Sequence, residues 1–390
     1  MVRKIYCFNP SHDAALANNT PFYKPSGEIV RMAYDLAVLP VWYAEAGSKV
    51  KVSEWKQVEL LRSQTGDADL LRGAAWTLEW ESAEYVPWGW DPALLHTLRL
   101  AGVDEDFLLT DPQMERVRRL SGRQRSAEVL EALKCLPGVC GEAVACRSLH
   151  EVEFCMSEMG ETVLKAPWSG SGRGIVKVSS ASWTQSVEGW VSRILRTQGE
   201  VMAEPLYERA CDFAMEFFAD GCGGVFFLGY SLFETDSHGN YKGNRLCSDE
   251  RIESLLSAYV PADVLHRVRA SLEVELSSLL EDGYKGCLGV DMMVCRVNDE
   301  FRVHPCVEIN LRMNMGIAAH EINARFVHPR SEGRFRVEHY SAQGQALETH
   351  RSLKERYPLQ TVDGKIIGGY LSLTGVDADT RYQAYVLVEP

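Results

Sequence analysis

The sequence predicts an α/β protein of two or three domains, and its size, composition and pattern of apolar runs support that prediction. A chain of 390 residues can bury a substantial core in more than one domain. Its content of 46% hydrophobic and 24% charged residues is that of an ordinary globular protein. Residues 1–110 alternate short apolar runs with helical patterns, as in a small α/β domain. Later apolar runs come in pairs separated by short turns, so the remainder of the chain is predicted to be of the α+β type, with β-hairpins.

The charge balance and the cysteine pattern weigh against several classes of protein. A net charge of −13 argues against a nucleic-acid partner, because phosphate binding needs clustered Lys and Arg. The eleven cysteines form no Cys-x-x-Cys pair, which predicts reduced thiols in a cytoplasmic protein rather than a zinc site. The sequence shows no signal peptide and no long apolar span, so we expect no membrane partner.

The N-terminal elements begin with a strand at Lys4–Phe8, and a turn leads from it into a helix that starts near Ala14. The tryptophan-rich segment 76–90 is predicted to be mostly loop, because it contains Pro87 and Gly89. These patterns give a small α/β unit with its first turn immediately after the first strand.

That first turn holds candidate ligand-binding residues. Crevices at the carboxyl ends of strands in α/β sheets commonly bind ligands. Asn9, Ser11 and His12 are therefore candidates for contacting a substrate. A structural role is the simpler alternative, because Ser11 or Asp13 can cap the following helix.

A basic helix is predicted to begin at Thr110-Asp111-Pro112, where a capping residue precedes a proline near the first turn. The helical pattern continues to about Leu133. It contains five arginines: Arg116, Arg118, Arg119, Arg123 and Arg125.

A glycine-rich loop joins two predicted strands, Val163–Lys165 and Ile175–Val178. Because it lies between strands, it is neither a Walker A loop nor a dinucleotide fingerprint, which both lead into a helix. Small residues let backbone N–H groups approach phosphate oxygens, and Lys165 can add a positive charge. An ordinary hairpin loop is the alternative. The loop residues are Ser169, Gly170, Ser171, Gly172, Arg173 and Gly174.

A third strand, Val201–Glu204, ends at Pro205 and can act as a hinge between two lobes. Glu204 and the nearby backbone are then available to adenine, although an exposed strand end fits the same residues. Apolar runs at 212–219 and 225–233 predict a hairpin, and helical spacing predicts one helix over 252–280.

The most informative stretch is a predicted pair of strands, Leu288–Val297 and Phe301–Asn310. In either register that the short turn allows, strand alternation puts Asp291, Glu308 and Asn310 on one face. Oxygen ligands at cross-strand distances of about 5 Å suit a hard cation such as Mg²⁺, which completes its shell with water and substrate phosphates. The alternative is three unrelated polar residues on a solvated face.

The order of these features resembles that of the ATP-grasp superfamily of carboxylate–amine ligases. The features follow one another in the order of that superfamily: a strand that ends in Lys165, the glycine-rich loop 169–174 (here called the flap), the hinge at Glu204, the acidic Asp212 eight positions later, and Asp291 followed by Glu308-x-Asn310. The resemblance covers residues 110–320 and extends loosely to the N-terminus. It implies four segments: an N-terminal α/β domain (1–110), a central subdomain with the flap (111–206), a C-terminal subdomain with the metal site (207–330) and a β extension (331–390).

The resemblance also implies roles for individual residues. Lys165 and the flap would contact the ATP phosphates, Glu204 and Leu206 the adenine, and Asp212 the ribose. Asp291, Glu308 and Asn310 would bind two Mg²⁺ ions, for which Mn²⁺ can substitute. Lys242, in a loop over 239–245, would face the transferred phosphate, and Arg312 the acyl phosphate or substrate carboxylate, with a surface salt bridge as the alternative. An early phosphate-binding Lys of the superfamily is missing, and Arg116, Arg119 or Arg123 can replace it.

The implied activity is an ATP-dependent ligase that activates a small-molecule carboxylate as an acyl phosphate and joins it to an amine, releasing ADP and phosphate. Its partners would be those small molecules, and a homodimer is compatible with the superfamily. A small-molecule kinase with the same ATP site and a non-catalytic nucleotide-binding protein are the alternatives. The identity of the acid and the amine stays open at this point.

Overall fold

The structure is a computed structural model that describes residues 4–169, 174–235, 241–281 and 283–389. Its strands form three sheets: an N-terminal parallel sheet, a central antiparallel sheet and a large antiparallel sheet. The α/β class with an α+β remainder is confirmed. Within these ranges each helix is too short or too polar to cross a lipid bilayer.

The N-terminal sheet has four parallel strands in the order β3-β2-β1-β4. The strands are β1 (Lys4–Cys7), β2 (Lys49–Lys51), β3 (Ala75–Thr77) and β4 (Glu84–Pro87). The helices are α1 (His12–Asn18), α2 (Gly27–Asp35), α3 (Trp55–Thr65) and α4 (Pro92–Leu100), with 3-10 turns at Leu39–Trp42, Ala68–Leu71 and Glu105–Phe107. The prediction of mostly loop over 76–90 is wrong at Glu84–Pro87, which forms strand β4: Tyr85 is buried and pairs with Ile5. Pro87 is tolerated there at the end of an edge strand.

The basic segment forms two helices, α5 (Asp111–Leu120) and α6 (Arg123–Leu133), and not the single helix expected. Thr110 caps α5 as predicted, in a capping box with Gln113. The chain leaves the helical path at Gly122, where the N–H of Arg123 donates to Pro167 O at 3.1 Å. This interruption allows the start of α6 to dock on the segment that precedes the flap.

The central sheet has the order β5-β8-β6-β7, and all its pairs are antiparallel. Its strands are β5 (Val144–Cys146), β6 (Thr162–Lys165), β7 (Ile175–Val178) and β8 (Val201–Pro205), with helices α7 (Leu149–Met159) and α8 (Gln185–Gln198). The predicted β6–β7 hairpin and the third strand are confirmed. Flap residues Gly170, Ser171, Gly172 and Arg173 lie outside the described residues.

The large sheet has nine strands in the order β13-β12-β9-β10-β11-β14-β17-β16-β15. The first five in the chain are β9 (Glu208–Asp220), β10 (Val225–Thr235), β11 (Tyr241–Leu246), β12 (Lys285–Val297) and β13 (Glu300–Asn310). The last four are β14 (Glu332–His339), β15 (Gln360–Val362), β16 (Lys365–Ser372) and β17 (Tyr382–Glu389). The helices are α9 (Asp249–Leu256), α10 (Ala262–Leu280), α11 (Met315–Phe326) and α12 (Gln345–Arg356). The single helix expected over 252–280 is two helices, since α10 begins anew after Pro261.

The first strand contributes to two separate hydrophobic cores. Ile5 belongs to a core with Phe213 and Leu265, whereas Tyr6 belongs to a core with Phe335. Successive side chains of a strand point to opposite faces, so both faces of the parallel sheet are covered. The strands of segment 331–390 hydrogen-bond into the same sheet as β9–β13. The division into four domains stays a prediction.

Candidate functional site

The β12–β13 hairpin turns through Asn298 and Asp299, which have φ angles of 50° and 64°. Asn and Asp tolerate this left-handed conformation, and two such residues make a tight two-residue turn. The turn pairs Val297 with Glu300, and that register continued without interruption would place Asp291 opposite Cys306.

A β-bulge between Asp291 and Met293 shifts the register, so that Asp291 lies opposite Glu308. Asn310 follows Glu308 by two residues and so lies on the same face of the strand. Its Nδ2 donates to Asp291 Oδ2 at 3.0 Å. The prediction that the three side chains share one face is confirmed. The bulge brings the two carboxylates directly opposite each other.

The Asp291 carboxyl lies in a strongly perturbing environment. Burial raises its pKa to about 7, and the neighbouring Glu308 carboxylate adds to that effect, against the lowering by a hydrogen bond from Asn310. Two carboxylates held this close with little solvent favour a nearby cation.

Arg123 is the arginine that reaches this carboxylate pair. Its side chain is buried, and Nη2 donates to Glu308 Oε2 at 2.8 Å. Nη1 donates to Ala166 O at 2.6 Å and to Ser169 Oγ at 2.7 Å. Arg123 is one of the three arginines, with Arg116 and Arg119, that the sequence left open as replacements for the early lysine, and it joins the flap base to the carboxylates.

The base of the flap is fixed on both sides. The N–H of Ala166 donates to Gly174 O at 2.8 Å. Gly174 has φ +76°, and a Cβ there would lie 2.8 Å from Ser169 Cβ, so glycine is required. Trp168 docks on α5, where its Nε1 donates to Arg118 O at 2.9 Å and the Arg118 guanidinium stacks 4.0 Å from the ring centroid.

Lys165 and Glu204 form a buried ion pair, with Nζ 2.6 Å from Oε2. The neighbouring strands β6 and β8 bring them together, since Val163 pairs with Glu204. The two residues expected to contact the phosphates and the adenine therefore contact each other. Their pairing keeps both charges satisfied in a buried position.

Leu206 and Asp212, which follow strand β8, both make hydrogen bonds within the protein. The N–H of Leu206 donates to Glu161 O at 2.8 Å, so this backbone donor is already engaged within the protein. Asp212, on β9, accepts from Arg209 Nη1 at 2.6 Å and from Thr235 Oγ1 at 3.1 Å. Burial raises the pKa of Asp212, while Arg209 opposes that rise.

Lys242 is exposed on strand β11, which begins at Tyr241. The prediction of a loop over 239–245 is wrong from Tyr241 onward, because Gly243 and Asn244 pair with β14. Glycine at 243 is needed for this pairing, since a Cβ there would lie 2.1 Å from Phe335 O. Residues 236–240 lie outside the described ranges.

Arg312 follows the metal strand and binds Asp13 of the N-terminal unit. Its Nε and Nη2 donate to Asp13 Oδ1 and Oδ2, both at 2.9 Å, and Nη2 also donates to Asn310 Oδ1 at 3.0 Å. Burial alone would raise the pKa of Asp13, but Arg312 and the hydrogen bond from His12 hold it well below its usual range. Arg312 is thus a salt-bridging residue that also touches a candidate metal ligand.

Glu216 was not predicted from the sequence, and it lies on β9, on the same face of the sheet as Asp291. It pairs with Gly289, and its Oε2 accepts from Asn314 Nδ2 at 2.8 Å. Burial raises its pKa to about 8. Added Cβ atoms at Gly289 and Gly316 would lie 2.4 Å and 2.1 Å from its carboxyl oxygens. The two glycines, and the run Gly289-x-Asp291, are the only local signals of this buried acid.

A cleft with about 310 Å³ of empty space lies between the N-terminal unit, the flap base and the metal strand. It is lined by His12, Asp13, Leu16, Trp168, Glu308 and Asn310, among others. Arg118 of α5 is hydrogen-bonded to α1 at one wall of the cleft, since its Nε donates to Leu16 O at 3.0 Å. Its lining by Glu308 and Asn310 places the cleft beside the carboxylate pair.

The candidate metal residues fit Mg²⁺ by their chemistry. They offer two carboxylates and one amide oxygen, and hard oxygen donors are what Mg²⁺ prefers. Among the described residues no group of three or more His, Cys, Asp or Glu side chains is arranged to hold a metal alone. Two carboxylates and one amide oxygen would fill only part of the octahedral shell of a bound Mg²⁺, which leaves positions for water and phosphate oxygens.

Comparison with known proteins defines the fold. No family model and no curated protein matches the sequence. Biotin carboxylase from Campylobacter jejuni, solved with a β,γ-ATP ligand, has a TM-score of 0.53 at 12% identity over 100% of this chain and 88% of its own. The biotin carboxylase domain of Hydrogenobacter thermophilus 2-oxoglutarate carboxylase, solved with MgADP, ADP and bicarbonate, has a TM-score of 0.51 at 13% identity over 100% and 87%.

A third solved structure, of a different enzyme, is also similar to this chain. N5-carboxyaminoimidazole synthase from Aspergillus clavatus, solved with ADP and 5-aminoimidazole ribonucleotide, has a TM-score of 0.50 at 12% identity over 100% of this chain and 94% of its own. This chain has the ATP-grasp fold. At these identities the likeness is one of fold.

Proposed function

We propose that this protein is an ATP-dependent ligase that activates a small-molecule carboxylate and joins it to an amine. The observation that carries the proposal is the placement of Asp291 opposite Glu308, with Asn310 bonded to Asp291. Arg123 ties this carboxylate pair to the base of the flap. The ATP-grasp neighbours were solved with nucleotides, which supports a nucleotide as a ligand of this chain.

Each candidate residue has a proposed role toward the nucleotide. Lys165 and the flap residues Ser169 to Gly174 contact the phosphates, and Arg123 supplies the charge of the missing early lysine. Glu204 and the Leu206 carbonyl face adenine, and Asp212 the ribose. Asp291, Glu308 and Asn310 hold Mg²⁺, which neutralises the β- and γ-phosphates when bound. Glu308 can serve Arg123 and a cation together, because a carboxylate has about four acceptor positions.

The first chemical step transfers the γ-phosphoryl group to the acid. A carboxylate oxygen attacks the γ-phosphorus, the bond to the β–γ bridging oxygen breaks, and ADP leaves. This chain contributes positioning and charge, with the flap excluding water and Lys242 and Arg312 facing the transferred group. No described side chain is required as a covalent nucleophile.

The second step joins the amine to the activated acid. The amine nitrogen attacks the acyl carbon, the bond from that carbon to the phosphate oxygen breaks, and inorganic phosphate leaves. The cleft beside Glu308 and Asp13 is the proposed location of these substrates. Solvent exclusion there protects the acyl phosphate from hydrolysis.

The test is a screen for ADP release with MgATP and a panel of amino acids, dipeptides and bicarbonate, each with and without an amine. A ligase is expected to release free phosphate only when acid and amine are both present. The kinase alternative predicts ADP without free phosphate and a phosphorylated hydroxyl in the product.

The variant Glu308→Gln tests whether this site performs the reaction. We expect it to lose turnover by about 100-fold or more, because a preorganised charge at the reacting centre contributes on that scale. Glu300→Gln, at the far end of the same strand, is the matched control. Normal MgATP binding with unchanged turnover in Glu308→Gln would refute the ligase proposal.

A further inference from the structure

Trp168 is the residue at which the base of the flap meets other parts of the chain. Its backbone N–H donates to Gln198 Oε1 at 2.9 Å, and Gln198 Nε2 donates to Trp168 O at 3.3 Å. Gln198 is the last residue of α8. One side chain of α8 therefore satisfies both backbone polar groups of Trp168.

The indole ring of Trp168 is held by helix α5. Its Nε1 donates to Arg118 O at 2.9 Å, and the Arg118 guanidinium lies over the ring, 4.0 Å from the centroid. The ring also packs closely on Gly122, since a Cβ there would lie 3.3 Å from Cζ2 of the indole. The hydrogen bond fixes one edge of the ring and the guanidinium covers one face, so the ring has little freedom to rotate.

Arg118 extends these contacts to the N-terminal unit. Its Nε donates to Leu16 O of α1 at 3.0 Å. A guanidinium carries several N–H donors in a planar fork, so it can bond a carbonyl oxygen and stack on an indole at the same time. Helices α1, α5 and α8 are therefore all connected through Trp168, the residue immediately before the flap.

The residues on either side of Trp168 are fixed by Arg123. Its backbone N–H donates to Pro167 O at 3.1 Å, and its Nη1 donates to Ser169 Oγ at 2.7 Å. The same guanidinium donates to Glu308, a candidate metal ligand. Because Trp168 lies between two anchored residues, a displaced Trp168 would also displace Ser169, the first residue of the flap, relative to Glu308.

Trp168 also belongs to the apolar part of the cleft beside Glu308. That part consists of Leu16, Pro167, Trp168, Ile309 and Leu311. Trp168 is half-buried, so part of its surface is open to the cleft. Apolar walls exclude water from a reacting centre, and water competes with the amine for an acyl phosphate.

We propose that Trp168 is a positioning residue that protects the acyl phosphate from water. This proposal rests on the proposed ligase function. In the competing reaction the oxygen of water attacks the acyl carbon, the carbon–oxygen bond to phosphate breaks, and carboxylate, phosphate and a proton are released. One ATP is then hydrolysed and the acid is regenerated. Trp168 reduces this loss by fixing the start of the flap and by covering part of the cleft with an apolar ring.

The first measurement needs no substrate. Spectra of protein labelled with ¹⁵N at tryptophan, with Trp168→Phe to assign the signal, report the exchange of each indole N–H with solvent. We expect the indole N–H of Trp168 to exchange at least about 10-fold more slowly than that of Trp55, which is 50% exposed. Equal exchange would overturn the proposal, since the ring would then not be held.

The second measurement is the amount of amide formed per ADP released, with an acid and an amine found in the screen. Trp168→Leu is expected to lower this ratio by about 10-fold, which corresponds to about 1.4 kcal/mol between the two competing attacks. Trp168→Phe keeps an aromatic face for Arg118 and should restore most of the ratio. A variant that is merely less folded loses amide and ADP in the same proportion, so its ratio stays that of the wild type.

Two further variants make this comparison specific. Trp190→Leu is the matched control, because Trp190 lies on α8 and packs against the core of the central sheet. It should keep the wild-type ratio. Gln198→Met removes both hydrogen bonds to the Trp168 backbone at the end of a helix, and it should lower the ratio even if Trp168→Leu does not fold.

The outcomes separate this proposal from the ligase proposal. A wild-type ratio in Trp168→Leu and Gln198→Met, or an equal fall in Trp190→Leu, would overturn the role of Trp168 and leave the ligase proposal standing. No amide from wild-type protein with any acid and amine would overturn the ligase proposal, and the role of Trp168 with it.

Discussion

The guanidinium of Arg123 lies 2.8 Å from the carboxylate of Glu308, although the two residues are 185 positions apart. Arg123 starts helix α6, and Glu308 lies near the end of strand β13. The same guanidinium donates to Ser169 at the base of the flap. One buried arginine thus connects the flap to the candidate metal residues.

Replacing Arg123 by Lys is expected to weaken MgATP binding by about 10-fold, corresponding to a loss of about 1.4 kcal/mol. A lysine keeps the charge but cannot donate to Glu308, Ser169 and Ala166 at once, because its ammonium is a single compact donor. Isothermal titration calorimetry measures the change. Arg125→Lys is the control, since that arginine pairs with Glu128 near the surface of the same helix. Equal affinities in the two variants would contradict the prediction.

Replacing Asp291 by Asn is expected to weaken the binding of Mn²⁺ in the presence of ADP by about 10-fold or more, because a carboxylate ligand is replaced by a neutral amide. Electron paramagnetic resonance of free Mn²⁺ gives the affinity directly. Asp299→Asn, in the turn at the other end of the hairpin, keeps a residue that tolerates positive φ and is expected to bind Mn²⁺ normally. The metal assignment fails if Asp291→Asn binds Mn²⁺ as wild type does.

Replacing Glu216 by Gln is expected to stabilise the protein increasingly as the pH rises. Burial raises the folded-state pKa of Glu216 from 4.5 to about 8, so its contribution to stability is complete below 4.5 and is lost as the pH rises toward 8. Gln carries no such loss and can still accept from Asn314. The difference in the free energy of unfolding between Glu216→Gln and the wild type should increase between pH 4.5 and 8 and then stay constant.

Chemical denaturation at several pH values in metal-free buffer measures this difference, which is on the order of a few kcal/mol. Glu128→Gln on the surface of α6 should run parallel to wild type over the same range. Parallel curves for Glu216→Gln as well would show that the buried carboxyl titrates like an exposed one.

Replacing Gly89 by Ala is expected to destabilise the protein by about 1–3 kcal/mol, because overpacking forces neighbouring side chains to move. The new Cβ would lie 2.3 Å from Cδ2 of His12, which has no room to shift. Gly189→Ala is the control: it lies within α8, has open space around its Cβ, and should stabilise by about 0.5–1 kcal/mol. Thermal unfolding compares the two. A neutral Gly89→Ala would show that the His12 ring can be displaced freely.

Local patterns predicted the elements that depend on a few neighbouring residues. The cap at Thr110, the hairpin around the flap and the shared face of Asp291, Glu308 and Asn310 follow from capping chemistry and from the period of two along a strand. The predictions failed where a distant contact decides the backbone. The loop expected near Tyr85 is a strand because β1 pairs with it, and the loop expected at Lys242 is a strand because β14 pairs with it.

The break between α5 and α6 has the same origin. Gly122 is of the residue type that often follows a helix, but the helical periodicity on either side of it predicted a single helix. The N–H of Arg123 leaves the helix to bond Pro167, a residue that precedes the flap in another sheet. Only the packed structure supplies that partner, and it also brings Arg123, one of the three arginines that the sequence left open, to Glu308.

Spacing along the chain was sufficient to predict the ATP-grasp order of motifs and the shared face of the candidate metal residues. The tertiary structure decided which distant groups meet them: Arg123 at Glu308, and Asp13 at Arg312 across 299 positions. It also decided the bulge that sets Asp291 opposite Glu308. These relationships depend on the packing of separate sheets, where hydrogen bonds and charges are satisfied between segments that no local pattern connects.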